Sequence, residues 1–304
     1  MTARADKLLV GLIGAGIQRS LTPAMHEAEA AAQGLALHYQ LIDLDRTGTG
    51  PEALPMLIGA ARAIGFAGLN ITYPCKQAVI PLLDELSDEA KAMGAVNTVV
   101  FEEGHDAGGR RAVRAVGHNT DGSGWRWGFE RALPRADLSC VVLLGAGGAG
   151  SAIAHAVLRM GAGSLVLVDA EPARAAEAAE RLNAVYPGRR AGYAADAAAA
   201  LTAGNGHPKA SGLVHATPTG MDKLPGLPLD AALLRPDLWV SEIVYFPLET
   251  ALLKAARAAG CAVCDGGTMA VGQAVGAFRL FTGREPDVAR MDTHFRSMVA
   301  TRSS

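Results

Sequence analysis

The chain has 304 residues, 50% of them hydrophobic and 19% charged, with a formal net charge of −2. That composition suits two globular domains and leaves no electrostatic case for nucleic acid or an anionic membrane surface as a partner. No apolar run reaches the roughly 18 residues of a membrane span, no signal-peptide core follows Met1, and the Cys 4 count makes no disulfide framework, so a reduced, cytoplasmic protein is expected.

Residues 8–14 read as a buried strand running into Gly14-Ala15-Gly16. Arg19 stands where a third loop glycine would, and no ribose-binding acid is evident on a clear second strand, so this loop is assigned to the substrate side. Pro23 starts a helix over 24–33 that Gly34 ends. A strand at 38–44, a helix near 52–64, a strand at 68–72 and a helix at 76–86 then alternate as parallel βαβ units do. Ser87, as N-cap before Asp88 and Glu89, opens a short helix. Segments 97–102 and 111–116 read as a hairpin around a mobile tip at 105–110, and a helix at 123–133 precedes the turn 134–138.

Further on come a strand at 141–144, a helix from about Ala149, a strand at 165–168 and a helix at 173–185. An alanine-rich stretch at 196–203 and a solvated turn at 204–211 lead to strands at 212–216 and 238–244. A helix at 250–259, a strand at 262–264 and helices at 268–281 and 287–299 complete the chain.

The most telling segment is Val141-Val142-Leu143-Leu144-Gly145-Ala146-Gly147-Gly148-Ala149-Gly150. An apolar strand breaks at Gly145, which permits the tight turn. Gly147 lets backbone N–H groups approach a pyrophosphate, and Gly150 lets the following helix pack on the sheet. The helix N-terminus faces the phosphates with its positive end. The next strand ends in Asp169, where a carboxylate would bind the adenosine ribose. Strand, turn, helix, strand and acid in this order read as a Rossmann-type site for a nicotinamide or flavin dinucleotide. A 2′-phosphate would need a cation near Asp169. The chain there reads Asp169-Ala170-Glu171, and the nearest arginine, Arg174, lies in the next helix, so NAD is expected over NADP.

Polar clusters interrupt the apolar pattern at strand ends and helix starts. They are Ser20-Leu21-Thr22-Pro23, Asn70-Ile71-Thr72-Tyr73-Pro74-Cys75-Lys76, Gly94-Ala95-Val96-Asn97-Thr98 and Gly117-His118-Asn119-Thr120-Asp121-Gly122. Ligands of open α/β folds sit at the carboxyl ends of strands, and alternating donors and acceptors suit a ligand rich in hydroxyls. Lys76 and Asp121 are the charged members, and a lysine held near an aspartate can exchange a proton with a reacting hydroxyl. The plainer readings are a solvated lysine at a helix start and an Asx turn at Asp121 before Gly122. Cys75 could be activated at a helix start, but a packed, inert thiol is the preferred reading. Cys261 and Cys264 read as small buried hydrophobes, and no metal site is assigned.

In their order, these motifs resemble the shikimate/quinate dehydrogenase family, together with Ala216-Thr217-Pro218-Thr219-Gly220-Met221 and the late Gln273. The similarity runs from about Leu9 to Asp287. It is greatest to the NAD-using branch, through Lys76-Gln77-Ala78-Val79 and Phe278-Arg279-Leu280-Phe281-Thr282-Gly283. The resemblance implies two α/β domains: a substrate-binding domain of residues 1–121 and 267–304, completed by the C-terminal helices, with a Rossmann-type NAD-binding domain inserted at 122–266. It implies that Ser20, Thr22 and Tyr245 hold the carboxylate of a cyclohexane carboxylate substrate, while Asn70, Thr72, Asn97 and Gln273 bind its remaining groups. Lys76 and Asp121 would bind the reacting C3 hydroxyl, with Lys76 as acid/base. Gly145, Ala146, Gly147, Gly148, Ala149, Gly150, Asp169, Arg174, Thr217 and Gly266 would bind the cofactor.

Two departures stand out: Asp169-Ala170-Glu171 replaces the Asn-Arg-Thr of NADP-using members, and Thr22 replaces a common serine. The implied reaction is NAD-dependent oxidation of quinate or shikimate to the 3-dehydro acid. The alternatives are a dehydrogenase of an amino analogue of shikimate and a non-catalytic metabolite-binding relative. A monomer and a homodimer are both compatible with the sequence.

Overall fold

The structure, a computed structural model, describes residues 7–105, 108–109, 111–202 and 208–303. Parts of the expected hairpin tip at 105–110 and of the expected turn at 204–211 lie outside the described residues. The chain forms two compact units, Met1–Thr120 with Gln273–Thr301, and Asp121–Gly272 with Arg302–Ser304. The expected return at 266/267 is therefore displaced. Gly266 and Gly267 mark the start of a helix, Gly266–Thr282, and the division falls inside it. Small residues of this helix pack closely on either side of the division: a Cβ on Gly272 would strike the backbone of Gly124, whereas one on Gly276 would press on Thr120 at 3.1 Å.

The first unit is built on β1 (Lys7–Gly14), β2 (Ala36–Asp43), β3 (Gly68–Ile71), β4 (Glu85–Leu86), β5 (Thr98–His105) and β6 (Arg111–His118). Their order is β2-β1-β3-β5-β6-β4. β1 pairs in parallel with β2 and β3, whereas β5 runs antiparallel to both β3 and β6. β1 is buried on both faces. Ile13 joins Leu54, Leu69, Ile71 and Val99 on one side, and Val10 and Leu12 join Tyr39, Ala277 and Phe281 on the other.

The helix expected at 76–86 is not continuous. A single turn, Cys75–Ala78, is followed by a 3-10 turn, Ile80–Leu82, and then by β4. Pro81 is the reason: it has no N–H to give the carbonyl four residues back, and it disfavours helical geometry at Ile80. Ser87 caps helix Asp88–Met93 as its sequence indicates, accepting the Ala90 N–H at 3.2 Å.

The second unit holds β7 (Val141–Leu144), β8 (Leu165–Val168), β9 (Ala191–Tyr193), β10 (Gly212–His215), β11 (Trp239–Glu242) and β12 (Val263–Cys264). All pair in parallel in the order β12-β11-β10-β7-β8-β9. β7, β10 and β11 are buried along their whole length; β7 reads as an unbroken apolar run, whereas β10 ends in His215 and β11 in Ser241-Glu242. From β7 the chain builds outward through β8 to β9, then returns to lay β10 on the other side of β7. That reversal between β7 and β10 is the switch point at which such sheets open a crevice. Helix Asp121–Ala132 packs Trp125 and Phe129 against Trp239, and the Trp125 Nε1–H donates to Ser241 Oγ at 3.0 Å. Among the described residues, no helix is long and apolar enough to cross a membrane.

His26 lies fully buried in the first unit, against the rings of Tyr39, Phe278 and Phe281, with no hydrogen-bond partner on either ring nitrogen. Burial takes its pKa from 6.5 down to about 3. Between those values the unfolded chain binds a proton that the folded chain does not. Stability therefore falls as pH drops through that window, by up to ~1.4 kcal/mol per pH unit from this one group. Denaturant melts at pH 7.0 and 5.0 should show this loss, and His26→Leu should flatten the difference. An equally steep dependence in the variant would place the acid lability elsewhere.

Candidate active site

Strand register alone gathers most of the polar clusters along one edge of the first sheet. β1 and β3 run parallel, so the loops after Gly14 and after Ile71 lie side by side. The Ala15 N–H donates to the Tyr73 carbonyl, and the Thr72 N–H to that of Ile13, both at 2.9 Å. β5 runs the other way, which brings its start to the same edge: the Ile71 N–H donates to Asn97 O at 2.8 Å. β6 ends there too, with the Asn97 N–H donating to His118 O at 3.0 Å. The carbonyl of Lys76 accepts the Val96 N–H at 2.8 Å, which fixes the lysine's backbone beside this edge.

Within that edge the amides are tightly committed. Asn70 Oδ1 accepts the Tyr39 hydroxyl at 2.7 Å, and its Nδ2 donates to Asn97 O at 3.3 Å and Thr98 Oγ1 at 3.1 Å. Asn97 Oδ1 accepts from Thr98 Oγ1 at 2.9 Å and from the Thr120 N–H at 2.8 Å, and its Nδ2 donates to Thr120 Oγ1 at 3.0 Å. Asn119 Nδ2 donates to Ala95 O at 3.0 Å. The Thr120 hydroxyl also reaches the backbone carbonyl of Gln273 at 3.3 Å, which ties the late helix to this cluster. Ser20, Thr22, Thr72, Lys76 and Gln273 are half-buried.

Several expectations need correcting. Thr22 opens the helix Thr22–Ala32 instead of preceding it, and Ser20 Oγ accepts its N–H at 3.3 Å. Asp121 is no turn residue, because it stands in the first turn of its helix, 1% exposed. β2 does end in an acid: Asp43 accepts the Gly16 N–H at 3.0 Å, so a carboxylate closes the first glycine loop after all. Cys75 is fully buried on a single helical turn, and burial, with Glu52 adding to it, pushes its thiol pKa up. That is the opposite of activation. Cys261 and Cys264 are buried, their sulfurs facing Arg235 O and Thr268 Oγ1 respectively. Among the described residues no cluster could hold a metal ion.

In the second unit the glycine loop does what its sequence requires. Gly145 has φ of 98°, and a Cβ there would sit 2.6 Å from the Ala216 carbonyl oxygen, across the switch point. A Cβ on Gly150 would fall on the Gly145 carbonyl, whereas one on Gly147 or Gly148 would meet nothing within 4 Å. Open space thus lies over the middle of the loop. Helix Gly148–Arg159 begins there without a side-chain cap. The donor set and the open cradle fit a pyrophosphate.

Asp169, its side chain 7% exposed, accepts the Ala146 N–H at 2.8 Å, the Glu171 N–H at 3.0 Å and Arg174 Nη1 at 3.3 Å. Arg174 also pairs with Glu171 at 2.6 Å, so an arginine that sequence distance sets apart stands beside Asp169. Gly266 has a packing reason to be glycine: a Cβ there would lie 2.6 Å from Ile243 O. Tyr245 follows that turn and is half-buried, its phenol pKa raised by burial.

Sequence reasoning missed one buried group here. His215 Nδ1 meets Glu242 Oε1 at 2.8 Å and His215 Nε2 meets Thr217 Oγ1 at 2.5 Å. The signal was present: β10 ends on His215 and β11 on Ser241-Glu242 after apolar starts.

Comparison with known proteins accords with this geometry. Residues 12–99 match the shikimate dehydrogenase substrate binding domain, and residues 266–292 the shikimate 5'-dehydrogenase C-terminal domain. A shikimate dehydrogenase (NADP(+)) of Streptomyces avermitilis is 57% identical, over 97% of each chain. A quinate/shikimate dehydrogenase (NAD(+)) of Corynebacterium efficiens is 48% identical, over 96% of this chain and 99% of that one. A solved quinate dehydrogenase from Corynebacterium glutamicum, in complex with NAD, superposes with a TM-score of 0.83 at 47% identity, covering 96% of this chain and all of that one. By sequence, fold and site geometry alike, the chain belongs to the shikimate dehydrogenase family of pyridine-nucleotide oxidoreductases.

Proposed function

We propose that the chain oxidises quinate or shikimate reversibly at the C3 hydroxyl, with NAD as hydride acceptor. The observation that supports this reading is the edge of the first sheet, where register and backbone hydrogen bonds bring together the four segments that carry these hydroxyl, amide and amine residues. A ring bearing one carboxylate and several hydroxyls needs such a mixture of donors and acceptors.

In this reading Ser20, Thr22 and Tyr245 hold the carboxylate, Thr72, Asn97 and Gln273 meet ring hydroxyls, and Lys76 with Asp121 engages the reacting one. The C3 hydroxyl proton passes to Lys76 Nζ in its neutral amine form as the C3–H electron pair leaves as hydride, and C3 becomes a carbonyl. Bound NAD supplies the acceptor for that hydride. Asn70 Nδ2 is spent on Asn97 O and Thr98 Oγ1, and Oδ1, which accepts from Tyr39, keeps a second acceptor position for a ring hydroxyl.

The preference for NAD rests on charge. Asp169 and Glu171 share the single guanidinium of Arg174, which leaves two carboxylates to one cation where a 2′-phosphate would sit. An added phosphate meets like charge there at a cost of several kcal/mol. The relative named for NADP bears on the opposite reading, in which Arg174 turns from its carboxylates to the phosphate.

Two measurements test these points. Initial rates of nicotinamide reduction with quinate and shikimate, each paired with NAD and NADP, should give kcat/KM at least about 100-fold higher with NAD. Equal or better use of NADP would overturn the charge argument, and silence in all four combinations would overturn the activity. Lys76→Ala should lower kcat by about 100-fold or more while changing the KM for NAD far less. A kcat within a few-fold of the parent would remove Lys76 from the acid/base role.

A further inference from the structure

His215 and Glu242 are register partners at the carboxyl ends of β10 and β11, and both are essentially inaccessible to solvent. The proposed chemistry uses neither. Two buried ionisable groups side by side at a strand edge demand a reason, because desolvation makes an unpaired one costly.

Their hydrogen bonds supply it. Glu242 Oε1 accepts the N–H groups of Ile243 at 2.8 Å and Val244 at 3.0 Å as well as His215 Nδ1, and Oε2 accepts the Thr250 hydroxyl at 3.0 Å. Oε1 already accepts two backbone N–H groups, so in the His215–Glu242 bond the ring Nδ1 is the donor. On the far side of the ring, Nε2 holds the Thr217 hydroxyl, whose oxygen also takes the Thr219 N–H at 3.3 Å. With its hydroxyl fixed in this way, Thr217 turns its methyl toward the glycine loop, where a Cβ on Gly145 would lie 3.1 Å from Thr217 Cγ2.

We propose that His215 and Glu242 form a positioning pair for the dinucleotide: they lock the rotamer of Thr217 at the wall of the β7–β10 crevice. This rests on the reading of the second unit as the nucleotide-binding one. Freed from His215, Thr217 has other staggered wells open to it, and the crevice loses its preset shape.

The test is a titration of NADH, read by its fluorescence without any ring acid, alongside steady-state kinetics and thermal melts. His215→Leu removes both hydrogen bonds. It should weaken NADH binding and raise the KM for NAD about tenfold, with kcat and the KM for the ring acid within about threefold. His215→Gln keeps one donor and one acceptor and should restore most of the affinity.

Thr217→Val should reproduce the loss, and combining it with His215→Leu should add less than about twofold, because both act on one contact. Parent-like NADH affinity in His215→Leu or Thr217→Val, additive losses in the double variant, or no rescue by glutamine would overturn the pair. Should His215→Leu fail to fold, Thr217→Val and His215→Gln decide by the same criteria. A parent protein that binds no NADH would overturn the nucleotide reading itself, which separates the two failures.

Discussion

The side-chain amide of Asn97 is the contact on which the first unit's site depends. It stands where an antiparallel strand begins, beside the ends of β3 and β6, and it joins Thr98 and Thr120, while the backbone carbonyl of the same residue accepts from Asn70 Nδ2. At 4% exposure each of those groups would cost about 1–3 kcal/mol if left without a partner. That cost forces one arrangement of three loops. Lys76 inherits its place from the same network, since its carbonyl is bonded to Val96, next to Asn97. The backbone of the site is therefore set by these buried amides, with the half-buried Ser20, Thr22, Thr72, Lys76 and Gln273 carried on the segments they hold.

The second unit reaches the same end by another route, close approach of backbone. Gly145 permits contact across the switch point with Ala216, and Gly150 permits the helix to sit on the loop carbonyl. A carboxylate at the end of the neighbouring strand then pins the loop, Asp169 to Ala146. The first unit repeats this device with Asp43 and Gly16. In both, an acid at a strand end accepts a loop N–H, so the acid shapes the loop before any ligand is considered. Asp169 keeps roughly one acceptor position beyond its three donors, which is what a ribose hydroxyl would need.

Much of this was legible in the sequence, and what was not has physical reasons. Long apolar runs such as Val141–Leu144 and the capped helix after Ser87 declare themselves locally. β9 does not, since Ala191-Gly192-Tyr193 carries no apolar run and gains its place from pairing with β8. Pro81 was visible, yet the apolar residues around it imitate helical periodicity and hide the break. Tyr39 reads as an ordinary strand residue; only the fold brings its hydroxyl across β1 to Asn70.

The same reasoning bears on charge. By sequence, Arg174 is remote from Asp169, five positions on and inside another helix. A helix that starts at Pro172 turns that separation into proximity, because its first turn folds back over the strand end. The local field at the ribose position is then that of a trio, and one arginine between two acids is already satisfied. A cation counts toward phosphate recognition only by the share of its charge not spent on carboxylates. Counting arginines near the motif would thus overstate the attraction, and counting acids alone would overstate the repulsion. In the NAD reading proposed for this chain, cofactor preference follows from how that trio divides its hydrogen bonds.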